Sequence, residues 1–114
     1  MELQQRESDS VQIIDISGDL DLYNSSKLKE TINKLVASSI EGLILNFEKV
    51  DYIDSSGVGV LIYSNSLLKS NKTPFRIIQV HGSVRRVIEL TKLIGFLPIV
   101  DTEETALTQI KAGG

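Results

Sequence analysis

Cysteine is absent from this chain, which excludes disulfides, thiolate zinc sites and cysteine nucleophiles. Histidine occurs once, at His81, so no histidine pair is available for zinc. Aromatic residues make up only 5% of the chain, and aliphatic side chains must therefore fill its core. No apolar stretch approaches the roughly 20 residues that cross a bilayer. The opening Met1-Glu2-Leu3-Gln4-Gln5-Arg6 lacks the apolar region of a secretion signal. A cytoplasmic protein with no membrane association is expected. A basic excess is missing too: the net charge is −3. Direct nucleic-acid binding would call for a basic stripe. Arg85-Arg86 is the only adjacent basic pair, and it reads as part of a solvated helix face.

What remains is ordinary for a globular domain. The 114 residues suit one domain spanning the whole chain, 1–114. Hydrophobic residues are 41% and charged residues 24%. A domain of this size buries roughly 65% of its unfolded surface, enough to fold without a staple. There is no repeat, long linker or low-complexity tract.

Hydrophobic periodicity predicts alternating strands and helices. Val11 to Ile16 is β-branched and stops at Ser17-Gly18, which predicts a strand, with Leu3 to Arg6 pairing as a hairpin through Ser8-Asp9-Ser10. Leu28, Ile32, Leu35 and Val36 follow at helical spacing behind the potential caps Asn24, Ser25 and Ser26, predicting a helix over Ser25–Ala37. Leu43-Ile44-Leu45 reads as a strand covered on both faces. Val58, Leu61, Ile62, Asn65 and Leu68 form a second helical stripe, ending near Asn71 ahead of Pro74. Phe75 to Val80 reads as a strand, Ser83 as the cap of a third helix, Ile99-Val100 as a short last strand, and Glu103 to Ile110 as a final helix capped by Thr102. The class is α/β, where sites favour loops at the carboxyl ends of strands.

One such loop, Val50 to Ser56, carries the chemistry. In Asp51-Tyr52-Ile53-Asp54-Ser55-Ser56-Gly57-Val58-Gly59-Val60, two acids lead into two hydroxyls and then into an apolar helix. The first turn of a helix has free N–H groups and partial positive charge. A serine there is open to phosphorylation. Asp54 reads mainly as the helix cap, a role worth ~1 kcal/mol. Catalysis through serine would need a base and an oxyanion hole. His81 is the only imidazole, and no Gly-x-Ser-x-Gly elbow exists, so His81 reads as a surface residue. Gly57-Val58-Gly59 lacks the third glycine of a dinucleotide fingerprint, since position 62 is Ile. Its small residues read as close packing of the helix start against the sheet. Asp15, Asp19, Asp21, Asp51 and Asp54 match no calcium loop. A receiver domain phosphorylated on aspartate is a poor fit, because Phe47 to Ile53 separates Leu45 from Asp54 and no adjacent acid pair exists.

The whole constellation resembles the anti-sigma factor antagonists, bacterial single-domain proteins of the STAS fold. Three segments carry the likeness: Gly18-Asp19-Leu20-Asp21 as the turn after the second strand; Leu43 to Phe47 with Val50 to Val60 as the central strand and phospho-loop; and Ser83 to Phe96 as the late helix with its small-residue turn. The resemblance implies a mixed four- to five-stranded sheet with about four helices packed mainly on one face. It implies phosphorylation at Ser55, with Ser56 the second choice. It also implies partner contact through Asp21, Asp54, Ser55, Ser56, Gly57 and Val58, with Gly57 leaving room for the partner. The implied partner is an anti-sigma factor that is itself a serine kinase, reset by a metal-dependent serine phosphatase. ATP and Mg²⁺ would belong to the kinase; this chain is expected to be no enzyme, to hold no cofactor or metal, and to be a monomer when free. The alternative is a STAS subunit of a lipid-transport or stress-signalling scaffold complex without a kinase cycle.

Overall fold

A computed structural model describes residues 1–113. The elements run β1 (Glu2–Ser8), β2 (Val11–Leu20), α1 (Ser25–Ala37), β3 (Leu43–Ile53), α2 (Ser55–Ser70), β4 (Phe75–Ile78), α3 (Gly82–Leu90), β5 (Ile99–Val100) and α4 (Glu103–Lys111). The five strands form one mixed sheet in the order β1-β2-β3-β4-β5. β1 is antiparallel to β2, and the remaining pairs are parallel.

This order decides where the helices go. Parallel crossovers are right-handed almost without exception. Three of them stepping in one direction put α1, α2 and α3 on the same face. Ile14, Ile16, Leu43, Leu45 and Ile77 from that face meet Leu28 and Ile32 of α1, Leu61 and Leu68 of α2, and Val84 and Ile88 of α3. α4 follows the last strand and covers part of the opposite face, where Ala106 and Ile110 pack on Val11, Ile13, Ile44 and Ile78. The expected mixed sheet with helices mainly on one face is what forms. No helix among the described residues is long and apolar enough to cross a membrane.

The β1–β2 hairpin closes through Asp9 and Ser10, both at positive φ (50° and 68°). Two consecutive left-handed residues give the turn whose twist matches that of the strands. Helix α1 has the predicted bounds, Ser25–Ala37, although Asn24 does not cap it: the Asn24 amide donates to the Asp19 carbonyl and to Asp21 Oδ1.

Both central strands are longer than expected. β2 does not stop at Ser17-Gly18 but runs to Leu20, and β3 runs past Leu45 to Ile53. Register explains the difference. Between Asp15↔Asn46 and Ser17↔Lys49, β3 takes one residue more than β2, and it takes another between Gly18↔Val50 and Asp19↔Tyr52. These bulges convert the period of two into a period of three, so that Phe47, Val50 and Ile53 all face the core. Gly18, at φ 90°, lies where the register shifts. The predicted turn Gly18 to Asp21 is therefore strand as far as Leu20, and the predicted loop Val50 to Ser56 shrinks to Asp54 alone. β4 ends at Ile78 rather than Val80, and α3 begins at Gly82 with His81, not Ser83, at its N-cap position. Thr102 caps α4 as expected, accepting from the Thr105 N–H.

Arg6 ties this sheet to α4. Its guanidinium reaches Asp15 on β2 at 2.6 Å and Glu103 at the start of α4 at 2.6 Å. The hydrogen bond from Arg6, aided by the Asn46 amide, lowers the Asp15 carboxyl pKa below its ordinary value despite partial burial. A depressed carboxyl stabilises the fold above the unfolded pKa, about 4, and the gain is lost as pH falls through the folded value. Asp15→Asn should therefore lower the urea midpoint at pH 7, with the gap to the parent narrowing as pH falls below about 4. A gap that persists unchanged at pH 3 would contradict this assignment.

Candidate functional site

The carboxyl end of β3 delivers Asp54 to a gap between β2 and α2. Its backbone is extended (φ −116°, ψ −171°), and its Oδ1 accepts from the N–H groups of Ser56 (2.9 Å) and Gly57 (3.1 Å). Its backbone carbonyl accepts from the Val58 N–H at 3.0 Å. Asp54 thus caps α2, as the sequence suggests. It does one thing more: Oδ2 accepts from the backbone N–H of Leu22 at 3.0 Å, and the Asp54 N–H donates to the Leu20 carbonyl at 3.3 Å. One carboxylate therefore stitches the β2–α1 connection to the start of α2.

Asp21 organises the other side of that seam. Its Oδ1 accepts from the Tyr23 N–H, the Asn24 N–H and the Asn24 amide at 3.0 to 3.1 Å. Its carbonyl accepts from Ser25 at 2.8 Å. These bonds hold Leu22 and Tyr23 outward, 65% and 88% exposed. Sequence reasoning passed over both residues; their one signal was an apolar pair inside an acidic turn.

Ser55 is the first residue of α2 and is exposed, while Ser56 is half-buried. Neither hydroxyl makes a hydrogen bond to a described residue. A ring nitrogen of His81 instead lies 2.9 Å from the carbonyl oxygen of Glu48. Of the first-turn N–H groups, expected to be free, those of Ser56, Gly57 and Val58 are already taken by Asp54.

Two expected contact residues are not on the surface. Val58 is only 5% exposed and belongs to the main core, because it lies on the side of α2 turned toward the sheet. Gly57 is buried as well. A Cβ at Gly57 would stand 2.5 Å from the Leu20 carbonyl oxygen and 2.6 Å from Ile53 Cγ1. The room that Gly57 leaves is filled by Leu20 of β2 and Ile53 of β3. Gly59 is the reverse case: expected to pack on the sheet, it is exposed, and a Cβ there would meet nothing within 4 Å. It lines a groove of about 280 Å³ between α1 and α2, together with Ser26, Lys29, Ser56 and Tyr63. The Lys29 ammonium sits 4.3 Å from the Tyr63 ring centroid, and the Tyr63 hydroxyl donates to Asn33 at 2.7 Å. Among the described residues no cluster of three or more His, Asp or Glu side chains is placed to hold a metal.

Known proteins share this fold. The STAS domain family model matches residues 2–106. The anti-sigma F factor antagonist of Paenibacillus polymyxa is 26% identical over 102 residues, 89% of this chain and 87% of that protein. The anti-sigma-B factor antagonist of Staphylococcus aureus is 28% identical over 80 residues, 70% of this chain and 74% of that protein. The crystal structure of an anti-sigma factor antagonist from Mycobacterium paratuberculosis superposes with a TM-score of 0.87 at 26% identity, over 96% of this chain and 93% of that one.

Proposed function

Because this chain belongs to the STAS domain family, we propose that it is an anti-sigma factor antagonist whose docking is switched off by phosphorylation of Ser55. The unmodified form binds an anti-sigma factor that is also a serine kinase, and a sigma factor is released. The kinase transfers phosphate to Ser55 and the complex separates. A metal-dependent serine phosphatase restores the hydroxyl. ATP and Mg²⁺ are the kinase's own.

The observation that carries this reading is the exposed, unpartnered Ser55 hydroxyl beside a carboxylate that has fixed its surroundings. Phosphate adds about −1.5 to −2 charge at pH 7. An anion at a helix start ordinarily gains from free N–H groups. Here Asp54 holds the N–H groups of Ser56, Gly57 and Val58, so the new charge finds little compensation in the helix start and stays on the surface. The docking face then comprises Ser55 and Ser56, the Asp54–Asp21 seam and the Leu22–Tyr23 pair. Gly57 and Val58 shape it from beneath.

The test is incubation of the full chain with the candidate anti-sigma kinase of its own organism, ATP and Mg²⁺, followed by intact-mass and peptide mapping. One added phosphate on Ser55 is the expected result. Modification confined to Ser56 moves the switch to that residue. A complex that forms without any phosphorylation favours a scaffold role lacking a kinase cycle.

A further inference from the structure

Helix α2 carries its chain away from Ser55, so its last turns lie at the opposite end of the sheet, where β4 begins. Between them lies a cavity of about 300 Å³ whose lining includes Asn65, Lys69, Lys72, Thr73 and Arg76. Asn65 is the unusual member. It is only 3% exposed, and its carboxamide makes no hydrogen bond with any described residue. No sealed side-chain nitrogen or oxygen among the described residues lacks a partner, so the Asn65 amide must open onto the cavity it lines. The adjacent Ser64, fully buried, satisfies itself by donating to the Val60 carbonyl at 2.7 Å. A packed helix face normally excludes an unpaired amide, because desolvating it without a partner is unfavourable. Leu68, one turn further along α2, shows the apolar solution that Asn65 does not take.

Among the described residues, the charged side chains lining this cavity are basic. Lys69, Lys72 and Arg76 line the cavity, and no described carboxylate does, in a chain whose net charge is −3. Arg76 is a fixed wall: its Nε donates to Gln109 at 2.7 Å, its Nη1 donates to the Phe75 carbonyl at 2.8 Å, and burial lowers its pKa. Lys69 stands at the mouth with its ammonium 5.6 Å from the Phe96 ring centroid. Lys72 is exposed on the turn that follows α2. An amide NH₂ and two ammonium groups are donors in search of a compact, acceptor-rich anion.

We propose that this cavity binds a phosphate-bearing small molecule, its phosphate held by Asn65, Lys69 and Lys72 against the Arg76 wall. The site is remote from Ser55 and independent of the switch. The phosphate belongs either to a free phosphate ester or to a lipid headgroup, which present the same chemistry.

The test is titration of the full chain, observed by amide chemical shifts, with inorganic phosphate and glycerol 3-phosphate at constant ionic strength. Sedimentation with phosphatidylcholine vesicles containing phosphatidic acid forms the second arm. Saturable shifts centred on Asn65, Lys69 and Thr73 are expected in the first arm if the ligand is free, and co-sedimentation in the second if it is a headgroup. The Lys69→Ala/Lys72→Ala double variant, altered only at exposed positions, should weaken either signal at least tenfold while leaving Ser55 phosphorylation unchanged. Asn65→Leu should do the same. If that variant fails to fold, the lysine pair carries the test alone. Absence of saturable shifts and of vesicle binding, shifts centred elsewhere, or full binding by the double lysine variant would each overturn the proposal.

Discussion

Ser55→Asp is expected to weaken docking to the anti-sigma kinase by about a hundredfold or more, while Ser55→Ala docks like the parent. About 3 kcal/mol separates the two outcomes at that ratio. The source is desolvation. An unpaired carboxylate carried into an interface costs several kcal/mol unless the partner supplies a matching cation. Inside this molecule little compensation is at hand, because Asp54 already accepts from Ser56, Gly57 and Leu22. The folded monomer itself should tolerate the change. Ser55 is exposed at the first position of α2, and an acid in a first helical turn is neutral to slightly favourable, by about 0.3–1 kcal/mol. Calorimetric binding of both variants, with urea midpoints as the control, separates these effects. Equal affinity of Ser55→Asp and Ser55→Ala would remove the electrostatic basis of the switch, and a lowered urea midpoint for Ser55→Asp would mean the residue is not free at the surface.

The parts of this fold that were legible in sequence are those governed by local periodicity. Leu28 and Ile32 lie one turn apart on α1 and both are fully buried, so a helix of period 3.6 announced itself. Asp54 was legible as a cap because it stands two or three residues from the N–H groups it accepts. Its bond to Leu22 was not, since 32 residues separate the two and only the parallel pairing of β2 with β3 brings them together. The second half of β3 was hidden for a related reason. Glu48-Lys49 and Asp51-Tyr52 look like loop until the two extra residues in the β2–β3 register place Phe47, Val50 and Ile53 inward. Val58 was read both as part of the apolar stripe of α2 and, through the family resemblance, as a partner contact. A helix keeps residues three or four apart on one face, and α2 turns Val58 and Leu61 to the sheet while Ser55 and Gly59 face out. The site was thus readable as a chemical motif, and its supporting frame only as a tertiary fact.

That frame makes Gly57 the position with the largest expected stability effect at the site. Gly57→Ala would place a methyl 2.5 Å from the Leu20 carbonyl oxygen, 2.6 Å from Ile53 Cγ1 and 2.9 Å from Leu20 Cγ. Leu20 and Ile53 are themselves buried, at 0% and 2% exposed, so neither has space to retreat. Ala is the better helix former by about 1 kcal/mol, but forcing a methyl into a packed core costs about 1–3 kcal/mol and more when backbone is what it strikes. The clash wins, and a net loss of about 2 kcal/mol or more is expected. Gly59→Ala is the matched control on the same helix: with nothing within 4 Å of its Cβ, it should keep the propensity gain and be neutral to slightly stabilising. Urea unfolding of the pair tests whether α2 begins against the end of β2. If the two variants unfold at the same midpoint, the seam that aligns Ser55 with Leu22 and Tyr23 is not as tight as this geometry requires.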